Sequence, residues 1–514
     1  MSNFTDWMQG LHLLSDIDAV QGHIMQLPLL YKEWWLTLYH ESPQHIIIET
    51  GLLLFIIWLM FIRRTVDPTR EAKNEKLSNK EIEWLIDTWE PEPLGPPLDK
   101  RSKDICDNML TVEGVKGNYF LIDGVDTPVL NLATFDFIGS SQYQGMKTAS
   151  EEALHKYGCG SCGPRGFYGT IDVHLELENA IAEFMKTEEA IYYSDGASTV
   201  TSTIPAFSKR GDLIIMDEAC NDAICTGVEL SRSTVVEYRH NDMAHLREIL
   251  ESIAKDDRRL KRDTLQQRRF IVTEGLFQQT GDICPLPTIM QLKEEFFYRL
   301  ILDESLSFGV MGATGRGVTE HFNIDVKDVE IITVAVDTAL ASVGGLCIGS
   351  HEIVDHQRLS GAGYCFSAAA PPFLAAAALS SLQRLATNGP SLITSLQKRA
   401  QRVVAALKDI PGYEIASSSP DISSPVVHFR LKPRPNRTWE DDEAIINKIV
   451  DMCLFQGVGV TSLKVSSSKL RDIRNKTCIR PSVRICVSTA LTLKELDKAL
   501  AVIKKNAVRA IPAQ

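Results

Sequence analysis

The chain has 514 residues, of which 44% are hydrophobic and 23% charged, proportions ordinary for a globular protein with two or three domains. A net charge of −12 and the lack of any basic stripe exclude nucleic acid as a partner, because phosphate binding needs concentrated positive charge. Eleven irregularly spaced cysteines indicate reduced thiols rather than a disulfide framework. Cys159 and Cys162 have CxxC spacing, but nothing in the sequence completes a zinc site, so no metal site is predicted.

The first predicted element is an apolar segment, IIIETGLLLFIIWLMFI, over residues 46–62. It would reach roughly 25 Å as a helix, against a hydrocarbon core of about 30 Å, and we predict a transmembrane helix. A buried core helix and an interfacial helix are the alternatives. Residues 1–45 contain one lysine or arginine and residues 63–80 contain six. The positive-inside tendency therefore places residues 1–45 in the lumen or at the interface, and all later residues in the cytosol.

A polar connector is predicted over residues 63–100, since the prolines of its last part, WEPEPLGPPLDK, block regular structure. Short β-branched runs that end in acidic or polar residues then alternate with helical stretches. They are LIIMD (213–217), RFIVTEG (269–275), RLILDES (299–305) and VEIITVAVD (329–337). This pattern predicts a large α/β domain over residues 101–370, with a mostly parallel sheet and its ligand site at the carboxyl ends of the strands.

The last part of the chain, residues 371–514, is predicted to form a helical link and a smaller α+β domain. Residues 374–410 are rich in alanine and leucine and are typical of a helix. The predicted elements of the small domain are a strand at VVHFRL (426–431), a helix near 440–456 and a strand at RICVS (484–488).

A glycine-rich string, GCGSCGPRGFYGTIDVHLELE (158–178), leads into a helix predicted to begin near Asp172. The string resembles the signature of α-oxoamine synthases, pyridoxal-phosphate enzymes that condense an amino acid with an acyl-CoA. Its CGPRGFYGT core resembles serine palmitoyltransferase in particular. Further blocks follow in the family's order: TEGLFQQTGDICPLP (273–287), LDESLSFGVMGATGRG (302–317), AVDTALASVGG (335–345), YCFSAAAPP (364–372) and RPSVRICVS (480–488). The resemblance covers roughly residues 90–510 and implies a fold-type I, aspartate aminotransferase-like architecture.

The resemblance also assigns the family's cofactor-handling positions. The lysine that forms the Schiff base with pyridoxal phosphate falls on Thr338, and a threonine cannot form an imine. The sequence has no lysine between Lys327 and Lys398. We therefore expect that this chain holds no cofactor covalently and has no catalytic residue of its own.

Three further positions follow from the resemblance, two of them from the block 302–317 and one from DEACNDAI (217–224), which resembles the family's DExxHAS segment. The histidine that contacts the ring oxygen falls on Leu306, and the histidine that stacks on the ring falls on Asn221. The acidic partner of the pyridinium nitrogen is retained as Asp303, for which capping of a turn is the alternative role. These changes together resemble the non-catalytic subunit of the heterodimeric serine palmitoyltransferases, whose other long-chain-base subunit, subunit 2, holds the lysine and the cofactor.

Enzymes of this family place their active sites at the subunit interface, which implies that this chain contributes to its partner's site. The residues predicted to do so are Cys162, Arg165, Tyr168 and Ser367. Ser367 matches a hydroxyl that approaches the partner's cofactor phosphate, and residues 158–169 form the adjoining loop. The alternative for each is packing within a tight interface, and for Arg165 a structural salt bridge.

The implied activity of the complex is condensation of L-serine with a long-chain acyl-CoA, such as palmitoyl-CoA, to 3-ketodihydrosphingosine, CoA and carbon dioxide, the first step of sphingolipid synthesis. The implied location is the endoplasmic reticulum membrane, with the main domain in the cytosol and small activating and regulatory membrane subunits as further partners. Two alternatives remain open: an active α-oxoamine synthase with a displaced lysine, and a purely structural membrane scaffold.

Overall fold

A computed structural model describes residues 32, 36, 43–65, 77–93, 95, 97–264, 266–416, 424–463 and 479–511, although side chains 43–47, 49 and 62–65 are not among those described. The chain divides into two compact units, Met1–Pro97 and Leu98–Gln514. The segment predicted over residues 1–45 lies almost wholly outside the described residues, as does the basic stretch 66–76.

The first unit contains helices α1 (Pro43–Thr65) and α2 (Asn79–Thr88). A helix over 46–62 was predicted from the apolar run, and α1 includes all of it. Among the described residues, however, no helix is both long and apolar enough to cross a membrane, so the prediction of a transmembrane span is not supported.

Helix α2 lies inside the predicted connector, before the proline-containing part, residues 89–100, in which regular structure was not expected. Its N-terminus is a capping box: the Ser78 hydroxyl accepts from the Glu81 N–H, and the Glu81 carboxylate accepts from the Ser78 N–H at 2.8 Å. This arrangement satisfies two of the N–H groups that a helix start leaves free. The pattern Ser-x-x-Glu before the apolar residues of EIEWLI was the signal available in the sequence.

The second unit contains thirteen described helices and fifteen described strands. The helices are α3 (Lys100–Asp107), α4 (Gln144–Tyr157), α5 (Asp172–Met185), α6 (Gly196–Phe207), α7 (Asp222–Ser231), α8 (Met243–Leu260), α9 (Leu286–Phe296), α10 (Val318–His321), α11 (His351–Ser360), α12 (Ala362–Cys365), α13 (Pro372–Leu407), α14 (Trp439–Leu454) and α15 (Leu493–Ala510). The strands are β1 (Val112–Lys116), β2 (Tyr119–Ile122), β3 (Val129–Asn131), β4 (Glu189–Tyr193), β5 (Leu213–Asp217), β6 (Thr234–Tyr238), β7 (Arg269–Glu274), β8 (Arg299–Asp303), β9 (Ile331–Ala335), β10 (Gly345–Gly349), β11 (Tyr413–Ile415), β12 (Val426–Leu431), β13 (Val458–Gly459), β14 (Thr461–Ser462) and β15 (Ser482–Cys486).

A seven-stranded sheet in the order β4-β10-β9-β8-β7-β5-β6 forms the centre of this unit. Neighbouring strands from β9 to β6 are parallel, and β10 runs antiparallel to both β9 and β4. Strands β5 and β7–β9 are almost entirely buried, which explains their continuous apolar sequences. The predicted mostly parallel sheet is confirmed, and its parallel strands carry their carboxyl ends to one edge.

The C-terminal part forms an antiparallel sheet in the order β11-β12-β15-β14. The 36-residue helix α13 precedes this sheet in sequence, α14 lies between β12 and β14, and α15 follows β15. The predicted long helix, both predicted strands and the helix near 440–456 are all found, with bounds that differ by a few residues. A third sheet, β1-β2-β3-β13, joins the N-terminal strands of the unit to β13. That small sheet was not predicted.

Candidate functional site

The candidate site lies where the parallel strands end, and Asp303 at the end of β8 is its centre. Asp303 is 4% exposed. Its Oδ2 accepts from the side-chain amide of Asn221 at 3.0 Å, and its Oδ1 accepts from the Ser305 N–H at 3.0 Å and from the Thr333 hydroxyl at 3.3 Å. Burial raises the pKa of Asp303, while these hydrogen bonds oppose that rise. The carboxylate therefore caps the turn after β8 and joins β8 to the start of α7.

Asn221 connects Asp303 to a second buried acid. Its side-chain oxygen caps α7 by accepting from the N–H groups of Ala223 and Ile224, both at 3.0 Å. Its own N–H donates to Glu274 at the end of β7, at 2.6 Å. Burial and the neighbouring charge of Asp303 raise the pKa of Glu274 to about 8. Asn221 is thus hydrogen-bonded to Asp303, to Glu274 and to the first turn of α7, for which its side chain is the N-cap.

Thr338 and Leu306 lie in the loops that follow β9 and β8, at the same edge of the sheet. The Thr338 hydroxyl lies 2.7 Å from the carbonyl oxygen of Ser305 and 3.0 Å from that of Ala335, so backbone carbonyls hold its one proton. Leu306 is 5% exposed and belongs to the hydrophobic core. Beside it, Glu304 is fully buried and accepts from the Val318 N–H at the start of α10, at 3.0 Å. Burial raises the pKa of Glu304 to about 7.

The N-terminus of α6 lies at the same edge, directly after β4. Such a helix start attracts anions because its N–H groups and dipole point outward. Here the chain's own Asp195 takes that position, since its carboxylate accepts from the Ser198 N–H at 2.6 Å. A Cβ on Gly196 would lie 3.4 Å from the carboxylate of Asp337. Burial, together with the charge of Asp195, raises the pKa of Asp337. Two carboxylates therefore meet at this helix start.

These residues do not fit pyridoxal phosphate, the cofactor that the sequence resemblance implies. Covalent attachment needs an amine, and none of the side chains described at this edge carries one: Asn221, Glu274, Asp303, Glu304 and Thr338. The buried lysine that the structure describes, Lys293, lies at the opposite edge, with its Nζ 2.7 Å from the carboxylate of Glu330. A phosphate at α6 would meet the two carboxylates described there.

The glycine-rich loop, residues 158–169, folds tightly on itself. A Cβ on Gly169 would lie 1.9 Å from the carbonyl oxygen of Gly163, so this approach needs glycine. The loop is tied to the segment before α13: the Ala369 N–H donates to the Gly163 carbonyl at 2.8 Å, and the Ser161 hydroxyl donates to the Ala369 carbonyl at 2.8 Å. Two regions that were singled out from sequence, the loop and the neighbourhood of Ser367, are thereby brought together.

Arg165 is buried beneath this loop. It forms a salt bridge with Glu178 of α5 at 2.8 Å, donates to the carbonyl oxygen of Tyr192 at 3.0 Å and lies over the ring of Tyr364. Its side chain is 4% exposed. The guanidinium is thus bound by groups of this chain. Its pairing with Glu178 is the structural salt bridge that was the alternative to anion binding.

The other residues predicted to reach the partner lie at or near the surface. Cys162 and Tyr168 are exposed, and both have positive φ, 59° and 65°, which non-glycine residues seldom adopt. The Ser367 hydroxyl donates to the Gly363 carbonyl at 2.7 Å and lies 3.0 Å from the hydroxyl of Ser194, which then donates to it. Ser367 is thereby linked to the end of β4, immediately before α6.

Sequence reasoning missed Ser194, Asp195 and Asp337. The place of Ser194 and Asp195 depends on β4, whose sequence EAIYY was not recognised as a strand. The signal available was its polar continuation, SDGAS, in which Asp195 precedes a helix in the manner of an N-cap residue. Asp337 ends the predicted strand VEIITVAVD but was given no role. Glu274 was quoted within a motif without a role, although it ends a predicted buried strand.

Comparisons with known proteins agree with this architecture. Residues 127–503 match the family model described as Aminotransferase class I and II. Long chain base biosynthesis protein 1c of Oryza sativa subsp. japonica is 39% identical over 467 residues, which cover 91% of this chain and 92% of that protein. Serine palmitoyltransferase 1 of Dictyostelium discoideum is 39% identical over 475 residues, which cover 90% and 94% of the two chains.

A solved structure described as SPT with a PLP internal aldimine matches with a TM-score of 0.68 and 22% identity, covering 85% of this chain and 99% of that one. At this identity the likeness shows the fold. The chain belongs to the class I and II aminotransferase family, and within it to the group formed by the serine palmitoyltransferase 1 and long chain base biosynthesis 1 proteins. The resemblance deduced from the sequence motifs is confirmed.

Proposed function

We propose that this chain is the non-catalytic but required subunit of a serine palmitoyltransferase, paired with a second long-chain-base subunit that holds pyridoxal phosphate. The complex condenses L-serine with a long-chain acyl-CoA to 3-ketodihydrosphingosine, CoA and carbon dioxide. The observation that carries the proposal is Thr338, whose hydroxyl is bound to backbone carbonyls at the position that the family gives to its lysine. The caps made by Asn221 and Asp195 support it, because each fills its position with a structural contact.

The surface around Ser367 supports a role beside a partner subunit. Tyr168 is 100% exposed, Phe366 87% and Phe167 69%. The three exposed aromatic rings lie on two segments that are joined by the Gly163–Ala369 hydrogen bond, and exposed rings of this kind are enriched in protein interfaces. Ser367 is half-buried next to Phe366, and we expect its hydroxyl to donate across such an interface once it exchanges its hydrogen bond to the Gly363 carbonyl.

Co-expression tests the proposal. This chain alone, a lysine-bearing partner subunit alone, and the two together are expressed in cells that lack the activity, and incorporation of labelled serine into long-chain base is measured. We expect activity only when both subunits are present and co-purify. Activity of this chain alone would support an active synthase with a displaced lysine. Full activity of the partner alone would show that this chain is not required.

Attachment to the endoplasmic reticulum membrane, with Leu98–Gln514 in the cytosol, is the second part of the proposal. The apolar side chains of α1 support it, since Leu53, Trp58 and Phe61 are 61%, 56% and 66% exposed. Small activating and regulatory membrane subunits would meet the chain at this helix. Extraction of microsomes with alkaline carbonate distinguishes an interfacial helix, which is released, from an integral one. Protease added to sealed microsomes should digest the main unit, and full protection of it would contradict the orientation.

A further inference from the structure

A cavity at the amino edge of the central sheet has no part in the proposed function. Strands β7, β8 and β9 begin at this edge and end at the candidate site, so about 13 Å of strand separates the two. The cavity, which we call the amino-edge cavity, has a volume of about 480 Å³, within the range of small-molecule sites. Ligands of open α/β sheets usually bind at the carboxyl edge, so a ligand in this cavity would be separate from one at the candidate site.

Most of the cavity's inner wall is apolar. Phe270 and Ile331 lie at the starts of β7 and β9, and Val329 precedes β9. The helices contribute Phe207, the last residue of α6, and Ile353 of α11. Phe270 and Ile331 are each 1% exposed and belong to the core, so they form a fixed floor. Such a wall takes a hydrocarbon or aromatic group, because removing apolar surface from water is the main favourable contribution to binding here.

The rim of the cavity carries both acidic and basic side chains, which differ in their hydrogen-bond partners within the chain. Each of its three carboxylates already accepts a hydrogen bond from the chain: Glu330 from Lys293 at 2.7 Å, Glu188 from the His351 N–H at 3.1 Å, and Glu352 from the Ser350 hydroxyl at 2.8 Å. The cations Arg299 and Lys327 are exposed, and neither side chain has an acceptor within the part of the chain that the structure describes. The third cation of the rim, Arg268, donates to the Phe207 carbonyl at 2.9 Å. The charges of the rim therefore balance formally, and Arg299 and Lys327 are the two cations there whose side chains have no acceptor among the described residues.

A third feature is the hydroxyl of Thr187, which lines the cavity. Its Oγ1 is buried and has no hydrogen-bond partner among the described residues. Buried polar atoms normally have partners, and a hydroxyl in a ligand-sized cavity finds one in the ligand or in a water that it holds. We propose that the amino-edge cavity binds an amphipathic anion: a single apolar chain in the pocket, with a phosphate or carboxylate head group at Arg299 and Lys327.

Titration calorimetry of the full-length chain, as the complex with its partner subunit, tests this with decyl phosphate and decanoate below their micelle concentrations. We expect at least one of the two compounds to bind, and the compound that binds more tightly identifies the preferred head group. The variant carrying Arg299→Glu and Lys327→Glu should bind roughly 10- to 100-fold more weakly, because two attractive charges become repulsive. A matched control, Lys504→Glu with Lys505→Glu on the exposed side of α15, should bind as the wild type does.

A second pair of variants tests the apolar pocket and avoids any general effect of charge. Ile353→Trp should fill the cavity and abolish binding, whereas Leu359→Trp, at a position 86% exposed on the same helix, should leave it unchanged. Equal binding by the wild type and the charge-reversed variant would overturn the proposal, since it would mean adsorption to another apolar surface such as α1. Binding of inorganic phosphate as tight as that of decyl phosphate would overturn it as well, because the pocket would then contribute nothing.

Discussion

The side-chain amide of Asn221, the N-cap of α7, donates to the carboxylate of Asp303 at the end of β8 across 3.0 Å. The two residues are 82 positions apart in sequence. At the same time the amide oxygen of Asn221 accepts from two N–H groups of α7. The family gives one position to a ring that stacks on a cofactor and the other to an acid that contacts its nitrogen. In this chain the two residues bind each other, and both serve as caps.

The first prediction is that Thr338→Lys will not create an active lone subunit. A lysine at this position would still lack the family's two histidines, which are Asn221 and Leu306 in this chain, while Asp195 and Asp337 oppose a phosphate at α6. Groups that act as a unit are strongly non-additive, so one restored member recovers little. The purified variant mixed with pyridoxal phosphate should give no borohydride-sensitive imine absorbance and no condensation activity. The lysine-bearing partner subunit is the positive control, and measurable turnover by the variant alone would disprove the account of this site.

The fold could be predicted from the sequence for four parallel strands that are buried on both faces, whereas β4 and β10, which are equally buried, were missed. Strands β5, β7, β8 and β9 have continuous apolar sequences for that reason, and each was found. Strand β6 was missed because its pattern, TVVEY, alternates in exposure at the sheet edge. Strand β10, GLCIG, was missed because it is short and contains glycines, which are uncommon in strands, although Gly344 and Gly345 allow the close approach of Tyr192 and Thr199.

The candidate site was predictable in its residues but not in its contacts. Motif blocks identified Asn221, Asp303, Leu306 and Thr338, yet nothing local indicates that the first two bind each other. Ser367 and Ser194 are 173 residues apart, and their contact follows only from the position of β4 in the sheet. Arg165 was left between two roles because its partner Glu178 lies one helix later, and a buried pair cannot be told from an exposed cation by sequence alone.

A second prediction concerns pH and the buried cluster around His240. Burial opposes a charge on this ring, but hydrogen bonds to Asp217 at 2.9 Å and to Asp282 at 3.2 Å raise its pKa to about 9. A histidine whose pKa is raised on folding stabilises the protein below its unfolded pKa of roughly 6.5, and that stabilisation is lost as pH rises through the folded value. The wild type should therefore lose on the order of 3 kcal/mol relative to His240→Gln between pH 6.5 and pH 9.5.

Chemical denaturation of the wild type and of His240→Gln across this range measures the difference between their free energies of unfolding. That difference should be large at pH 6.5 and shrink toward pH 9.5. His155→Gln, at an exposed position on α4, is the control and should follow the wild type throughout. A difference that stays constant with pH would mean that His240 is neutral in the folded protein.

A third prediction compares two glycines of the same tight turn. Gly169→Ala places a Cβ 1.9 Å from the Gly163 carbonyl oxygen, so the loop must open and its bond to Ala369 must weaken. We expect a loss of stability of about 1–3 kcal/mol, the usual result of overpacking. Gly166→Ala meets no atom within 4 Å and should change the thermal unfolding midpoint little. Equal midpoints for the two variants would show that the loop is not held in this conformation.

The last prediction separates support of catalysis from simple tethering, and it concerns Ser367. Its hydroxyl is bound to the Gly363 carbonyl and to the hydroxyl of Ser194, which follows β4, and its neighbour in sequence is the exposed Phe366. If this chain only holds its partner at a membrane, Ser367→Phe should leave turnover per assembled heterodimer intact. If the hydroxyl completes the partner's site, the same variant should lower turnover roughly 10- to 1000-fold, as loss of a preorganised donor does.

Ser367→Thr keeps a hydroxyl and should retain most of the activity, which separates the loss of a donor from a general disturbance of the loop. Leu359→Phe, at an exposed position on the preceding helix α11, controls for the added ring. Each variant is compared at equal co-purification of the partner and equal membrane association, so that a failure to assemble is not counted as a failure of catalysis. Wild-type turnover and unchanged KM for serine in Ser367→Phe would leave tethering as the function of this chain. A loss confined to Ser367→Phe would place its hydroxyl in the catalytic arrangement of the partner subunit.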